Sequence, residues 1–213
     1  MKILILFSGI GGMSRDWQSH NITYVELDSE IYNVGKSLFP KQEWINDDAI
    51  HYVENQDLSD FDVIFSTPPC TTHSLQNRFH KTKKVPDYTT LFGISAMLSY
   101  YYPNIPHIIE NTSSMYSLKN FPQKVAKVGR HFIWSNCDIE SAKFDTTDLA
   151  RLSKNQLLRL YGFDDKLQLP GNKLRKRQIV RNILEPEIAN YLLEQITKCI
   201  NDKRVKAYIE EYF

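Results

Sequence analysis

Residues 62–70, DVIFSTPPC, decide how this chain is to be read. Asp62–Ser66 is apolar and β-branched enough for a buried strand, and two prolines then stiffen the backbone directly ahead of Cys70. A lone cysteine is most often a small buried hydrophobe; behind paired prolines at a strand end it reads better as a nucleophile held at a sheet edge. Working outward, Lys2–Phe7 is a continuous apolar strand, Thr23–Leu27 a second, and His107–Glu110 a further one after a proline-bounded turn. Ser29–Leu38 and Thr89–Tyr102 carry apolar residues at helical spacing. Strands alternating with helices predict an α/β fold, a mostly parallel sheet with helices on both faces. In such sheets ligands bind beyond the carboxyl ends of the strands, so chemistry is sought in the residues just after each one.

Four strand ends carry a signal. The first runs into FSGIGG, Phe7–Gly12, where glycines let the backbone approach a ligand closely, although a plain structural turn accounts for them as well. The dinucleotide pattern GxGxxG has Ser14 at its last position, which disfavours a dinucleotide oxidoreductase. The second ends in Glu26-Leu27-Asp28, acids of the kind that accept ribose hydroxyls, or merely exposed acids. The third delivers Cys70. The fourth delivers Glu110-Asn111, either a carboxyl able to hold a proton in a partly desolvated site or a helix cap.

Taken together and in this order, FSGIGG, ELD, TPPC and IEN resemble the cytosine-5 DNA methyltransferase family, over almost the whole chain. The resemblance implies a Rossmann-like S-adenosylmethionine-dependent methyltransferase fold. It assigns cofactor binding to Phe7, Ser8, Gly9, Gly11 and Gly12, to Glu26 as ribose ligand, to Asp48 as reader of the adenine amino group, and to Pro68, Leu91 and Asn182. It assigns the nucleophile to Cys70 behind Pro69, the cytosine-binding pair to Glu110 and Asn111, and the arginine that supports the target base to Arg130 in RHFIW. In RQIVRNILEPEIA, residues 177–189, Gln178 and Asn182 match the segment that closes the cofactor pocket, while Arg181 stands for the usual glycine and Glu185-Pro186 for the usual paired prolines.

The implied chemistry is attack of Cys70 on C6 of a flipped-out cytosine, assistance at N3 by Glu110, and methyl transfer from S-adenosylmethionine to C5, with no metal. The implied partner is double-stranded DNA. Lys plus Arg number 26 against 25 Asp plus Glu, so the net charge of +1 supplies no global field for a polyanion and contacts must be local. Two clusters qualify: Arg78, Lys81, Lys83 and Lys84 directly after the nucleophile, and Lys173, Arg175 and Arg177 before the last helix. Solvated surface charge is the bland reading of both. Methylation of RNA, on which one branch of the family acts, and a non-catalytic nucleic-acid-binding relative are the competing functions.

At 213 residues the chain holds one large core and little else. The expected organisation is a catalytic S-adenosylmethionine-binding domain over 1–135, a reduced target-recognition region over 136–172, and a C-terminal segment returning to the catalytic domain over 173–213. So small a recognition region predicts a short or degenerate target, or help from a second subunit or homodimer. Apolar residues at 42% and charged residues at 24% exclude fibrous and low-complexity classes, and no apolar run reaches the roughly 20 residues of a membrane helix. Cys70, Cys137 and Cys199 are odd in number and far apart, which argues against a disulfide framework and a zinc site and for a cytoplasmic protein.

Overall fold

The computed structural model describes residues 1–70, 88–112, 124–144, 149 and 151–212, with backbone alone for 124 and 203–212. Seven strands form one sheet in the order β3-β2-β1-β4-β5-β7-β6. They are β1 (Lys2–Leu6), β2 (Asn21–Val25), β3 (Glu43–Ile45), β4 (Val63–Ser66), β5 (His107–Thr112), β6 (Lys124–Val128) and β7 (His131–Ser135). The first five are parallel, and β7 runs antiparallel to both β5 and β6. The central strands are apolar on both faces because both are covered. Ile3 and Ile5 of β1 pack into the cluster containing Trp17, Leu192 and Ile196, whereas Leu4 and Leu6 pack with Val53, Leu91 and Leu98.

The helices are α1 (Ser29–Leu38), α2 (Ala49–Asn55), α3 (Thr89–Tyr101), α4 (Lys154–Leu160), α5 (Lys173–Arg181) and α6 (Pro186–Tyr212). Asp28 caps α1 and Asp48 caps α2 through side-chain acceptance of two backbone amides each, and Ser153 closes a capping box with Gln156 on α4. No helix among the described residues is long and apolar enough to cross a membrane.

The parallel sheet and its helices agree with the sequence expectation, with three differences. Strands β3 and β6 were not legible: β3 has three residues at one edge, and β6 (KVAKV) carries the lysines of an opposite edge. The apolar spacing predicts a last helix over Pro186–Ile200, and α6 runs on to Tyr212, through the polar run NDKR at 201–204. Cys137 and Cys199, expected to be unpaired, form a disulfide across 62 residues. The cross-link is tertiary: it joins the exit of β7 to α6, and both cysteines belong to the cluster beneath the sheet. Linear spacing carries no trace of it, and the pairing removes the ground on which a reducing compartment was inferred.

Within 136–172, Leu149, Leu157, Leu158, Tyr161 and Leu169 are buried in a cluster shared with Ile10, Ile179, Val180 and Ile183. That stretch is therefore tied to the glycine turn after β1 and to α5 through common apolar burial.

Candidate active site

The carboxyl ends of β1, β2, β4 and β5 open onto two adjoining cavities. The larger, about 640 Å³, is lined by the glycine turn, Glu26, Asp28, Asp48, Ile50, Thr90 and one side of α5. The smaller, about 70 Å³, is lined by Pro68, Cys70, Glu110, Asn111, Arg130, His131 and Arg181. Thr67, Pro69, Asn182, Ile183 and Leu184 line both and form the shared wall.

Glycines shape the floor of the larger cavity. Phe7, the residue that leaves β1, holds φ of 56°, a left-handed conformation that a bulky side chain rarely adopts. Gly9 follows with φ of 57°, and a Cβ there would meet nothing within 4 Å, so the backbone lies bare to the cavity. Gly11 has a different task. A Cβ on it would come within 3.1 Å of Phe39 and 3.2 Å of Trp44, so it permits packing and does not line the cavity. Ser8 and Gly12 do line it, and the Ser8 hydroxyl is buried with no hydrogen-bond partner among the described residues.

Glu26 is already engaged. Its carboxylate accepts from the Gly9 amide at 2.8 Å and the Asp28 amide at 2.9 Å, which ties the ends of β1 and β2 together. Burial pushes this carboxyl above the usual range, against the pull of those amides. Asp48 lines the cavity while one of its oxygens caps α2.

Two expected cofactor contacts fall elsewhere. Leu91 is 1% exposed and packs in the core with Leu4, Ile94 and Leu98; its predecessor Thr90, about 100° round the helix, faces the cavity. Pro68 borders the smaller cavity only, and its carbonyl accepts from Asn111 Nδ2 at 2.9 Å. That bond latches the β4 exit to β5, and the bond from Thr67 Oγ1 to the Phe7 carbonyl at 3.1 Å latches it to the exit of β1. Asn111 thus fixes the loop that carries Cys70.

The half-buried Cys70 thiol is pushed up by burial and by the Glu110 charge, while the Thr112 hydroxyl and Arg130 pull it back. Its neighbour Glu110 sits on β5, and the β5–β7 register sets Glu110 opposite Ile133 and Thr112 opposite His131. Glu110 and His131 are therefore diagonal neighbours on one face of the sheet, and His131 Nδ1 is hydrogen-bonded to Glu110 Oε1. On its other side His131 Nε2 meets Glu185 Oε2 at 2.9 Å, and Glu185 Oε1 accepts from Arg130 Nε at 2.9 Å. Burial works to lower the His131 imidazole, but the two carboxylates carry it from 6.5 to about 9. Against burial, His131 and Arg130 hold Glu185 below the usual carboxylate range.

This chain of four adds to the sequence expectation. The base that touches Glu110 is His131, and Arg130 reaches it through Glu185. Sequence reading passed over His131 and noted Glu185 only as a departure, where the family pattern has a proline. Arg181 was also noted only as a departure; it lines the smaller cavity, where burial and the nearby Arg177 and Arg130 lower its pKa.

Of the cationic residues expected at phosphates, Arg78, Lys81, Lys83 and Lys84 lie outside the described residues. Lys173 opens α5 and is exposed. Arg175 bridges Asp28 at 2.6 Å and Glu30 at 2.7 Å, drawing α5 onto α1 at the rim of the larger cavity. Arg177 donates to the Leu152 carbonyl at 3.0 Å. These contacts give both arginines structural work within the protein, an outcome that a charge run in sequence does not reveal.

Comparison with known proteins leads the same way. A family profile described as C-5 cytosine-specific DNA methylase matches residues 1–133. A crystal structure described as a DNA modification methyltransferase encoded within an E. coli prophage superposes with a TM-score of 0.61 at 13% identity, over 94% of this chain and 99% of the other. A triple mutant of Spodoptera frugiperda DNMT2 gives 0.60 at 13% identity over 92% and 99%, and S. pombe Dnmt2 methyltransferase gives 0.59 at 11% over 94% and 99%. No curated protein matches. At these identities the structural likeness establishes the fold, a Rossmann-like methyltransferase sheet. The profile spans well over half of the 213 residues and includes the glycine turn, Cys70, Glu110 and Arg130. This chain belongs to the C-5 cytosine-specific DNA methylase family.

Proposed function

We propose that the protein transfers a methyl group to C5 of cytosine in double-stranded DNA through a covalent bond between Cys70 and C6. The observation that carries the reading is the shared wall: the thiol and the Glu110 carboxyl line one small cavity, and among the described residues Thr67, Pro69 and the Asn182–Leu184 segment stand between it and the large glycine-floored cavity.

The family is S-adenosylmethionine-dependent, and the larger cavity suits that molecule. Its volume is that of a small-ligand site, the bare backbone at Gly9 leaves room for close approach, and the orphaned Ser8 hydroxyl and the acids Glu26 and Asp48 supply polar partners. When bound, it supplies an electrophilic methyl group. Glu26 would hold the ribose, Asp48 the adenine amino group, and Ile50 and Thr90 the adenine faces.

Cytosine C5 is a poor nucleophile until a thiolate adds to C6. Because burial keeps the Cys70 thiol protonated in the free protein, the thiolate must form as the substrate closes the site. Asn111 and Thr67 hold the loop so that Sγ stays at the cavity. Glu110 meets N3 and neutralises the charge that develops there. Reaching the site requires the nucleotide to leave the duplex, at a cost of a few kcal/mol. Arg181 and Arg130 line the cavity and are suited to a nucleotide's anionic and carbonyl oxygens. RNA is the competing substrate, since the fold is equally like a DNA modification methyltransferase and the Dnmt2 proteins.

Labelled methyl transfer to duplex DNA and to tRNA, followed by nucleoside analysis, tests this. Label in 5-methylcytosine of DNA supports the proposal; label confined to tRNA overturns the substrate, and label on an exocyclic amine overturns the chemistry.

A further inference from the structure

The four-membered chain Glu110–His131–Glu185–Arg130 contains more protonation chemistry than the proposed reaction has yet used. Both imidazole nitrogens of His131 face a carboxylate oxygen, Nδ1 towards Glu110 and Nε2 towards Glu185. Carboxylates only accept, and a neutral imidazole has one N–H, so the two contacts together require two protons. One is always present on the ring. The second belongs either to the ring or to the Glu110 carboxyl, and the Nδ1–Oε1 contact is the line along which it passes. The chain is largely withdrawn from water: the side chains of His131, Glu110 and Glu185 are 4%, 11% and 17% exposed. A carboxyl so enclosed does not readily draw a fresh proton from water in each turnover.

Glu185 is what makes this arrangement particular to the chain. It caps α6, where its carbonyl accepts from the Ala189 amide, and its side chain turns back to engage Nε2 of His131 and Nε of Arg130. With one proton in each contact, the charges of His131 and Arg130 balance those of Glu110 and Glu185. Among the described residues, the charged and titratable groups around the imidazole are Glu110 from β5, Glu185 from the α5–α6 junction and Arg130 from its own strand entrance. Cys70, Tyr161 from the end of α4 and Arg181 from α5 stand beyond them.

We propose that His131 stores the proton that Glu110 delivers to N3 of the target cytosine, with Glu185 holding the ring in register. This rests on the reading of the site as a cytosine methylation centre. As the bond from Sγ to C6 forms, the C5=C6 pair moves to C4=C5 and the C4=N3 pair moves onto N3. Glu110 passes the Nδ1 proton on to N3, which leaves Glu110 a carboxylate and the ring neutral with its Nε2 proton still donated to Glu185. After C5 has accepted the methyl and lost its own proton, the Sγ–C6 bond breaks and C5=C6 reforms. The N3 proton then returns through Glu110 to Nδ1. His131 acts through Glu110 and is a positioning and proton-storing residue.

The test compares wild type, His131→Gln, His131→Arg and Glu185→Gln by methyl-transfer rate against pH, with S-adenosylmethionine binding by calorimetry as the check on folding. The Cys70 titration is common to all four, so differences between them isolate the proton store. At about pH 8, His131→Gln and His131→Arg should lose about 100-fold or more in kcat with KM for DNA little changed, the scale of one general-acid contribution. Arginine keeps the charge and two hydrogen bonds but releases no proton. The deficit should shrink above about pH 9, where the wild-type imidazole itself gives up the stored proton. In Glu185→Gln the alkaline loss of rate should begin at lower pH than in wild type. NMR of ring-labelled histidine should show His131 doubly protonated at neutral pH in the intact protein. Wild-type kcat across the pH range in His131→Arg, or a singly protonated His131 at neutral pH, overturns the proton store and leaves the methylation reading standing. A wild type that methylates no cytosine overturns both.

Discussion

Replacing His131 with glutamine has a thermodynamic signature independent of catalysis. The imidazole is shifted from 6.5 to about 9 by Glu110 and Glu185 in the folded protein. At about 1.36 kcal/mol per tenfold in proton affinity, the pair of carboxylates contributes about 3 kcal/mol to stability when His131 is charged. Because the folded pKa is raised, that contribution is fully present below 6.5 and is lost as pH rises through about 9. His131→Gln removes the titration and leaves two buried carboxylates without their cation, so the variant is strongly destabilised at about pH 6. By about pH 10 the wild type has lost the same interaction, and the gap between the two proteins should narrow by about 3 kcal/mol. For a chain of this size each kcal/mol moves Tm by about 2–4 °C, which makes the narrowing roughly 10 °C. Thermal or urea unfolding of both proteins across that range measures it. A difference that stays constant with pH would show that His131 is not held as an imidazolium between the two acids.

Other perturbations test the redistribution of roles between sequence and structure. Leu91→Ala should cost about 2–5 kcal/mol of stability as a core truncation, while the folded variant binds S-adenosylmethionine as wild type does; weakened binding with unchanged stability would return Leu91 to the cavity wall. Arg175→Ala should leave stability little changed, since its ion pairs are substantially exposed. It should also leave the salt dependence of DNA binding unchanged, whereas loss of a phosphate contact would reduce the slope by about 1. Oxidised protein should yield one Cys137–Cys199 peptide on non-reducing mapping, and Cys199→Ser should lose about 4 kcal/mol by the chain-entropy estimate for a loop of that length. Recovery of both thiols free would remove the cross-link.

The central architecture was legible because β1, β4 and β5 are short, β-branched and covered on both faces, and because the functional residues follow them directly. That rule singled out Cys70, Glu110 and Asn111 as candidates, and the family resemblance supplied their expected roles. Residues whose role depends on lateral neighbours could not. His131 becomes chemical through a diagonal pairing across two antiparallel strands, and Glu185 through a side chain reaching 54 residues back in sequence. Gly11 and Leu91 sit in functional-looking motifs, yet Phe39, Trp44 and the α3 core claim them. Arg175 and Arg177 illustrate the converse, charges that resemble a polyanion site until Asp28, Glu30 and the Leu152 carbonyl are seen to hold them.

The claim that Cys70 attacks cytosine is tested most directly with duplex DNA containing 5-fluorocytosine and S-adenosylmethionine, where fluorine blocks the final elimination. Wild-type protein should form a denaturation-resistant adduct whose cross-linked peptide contains Cys70, and Cys70→Ser should form none. An adduct that persists in Cys70→Ser, or wild-type protein that turns over cytosine DNA without ever being trapped by its fluorinated counterpart, would contradict the account.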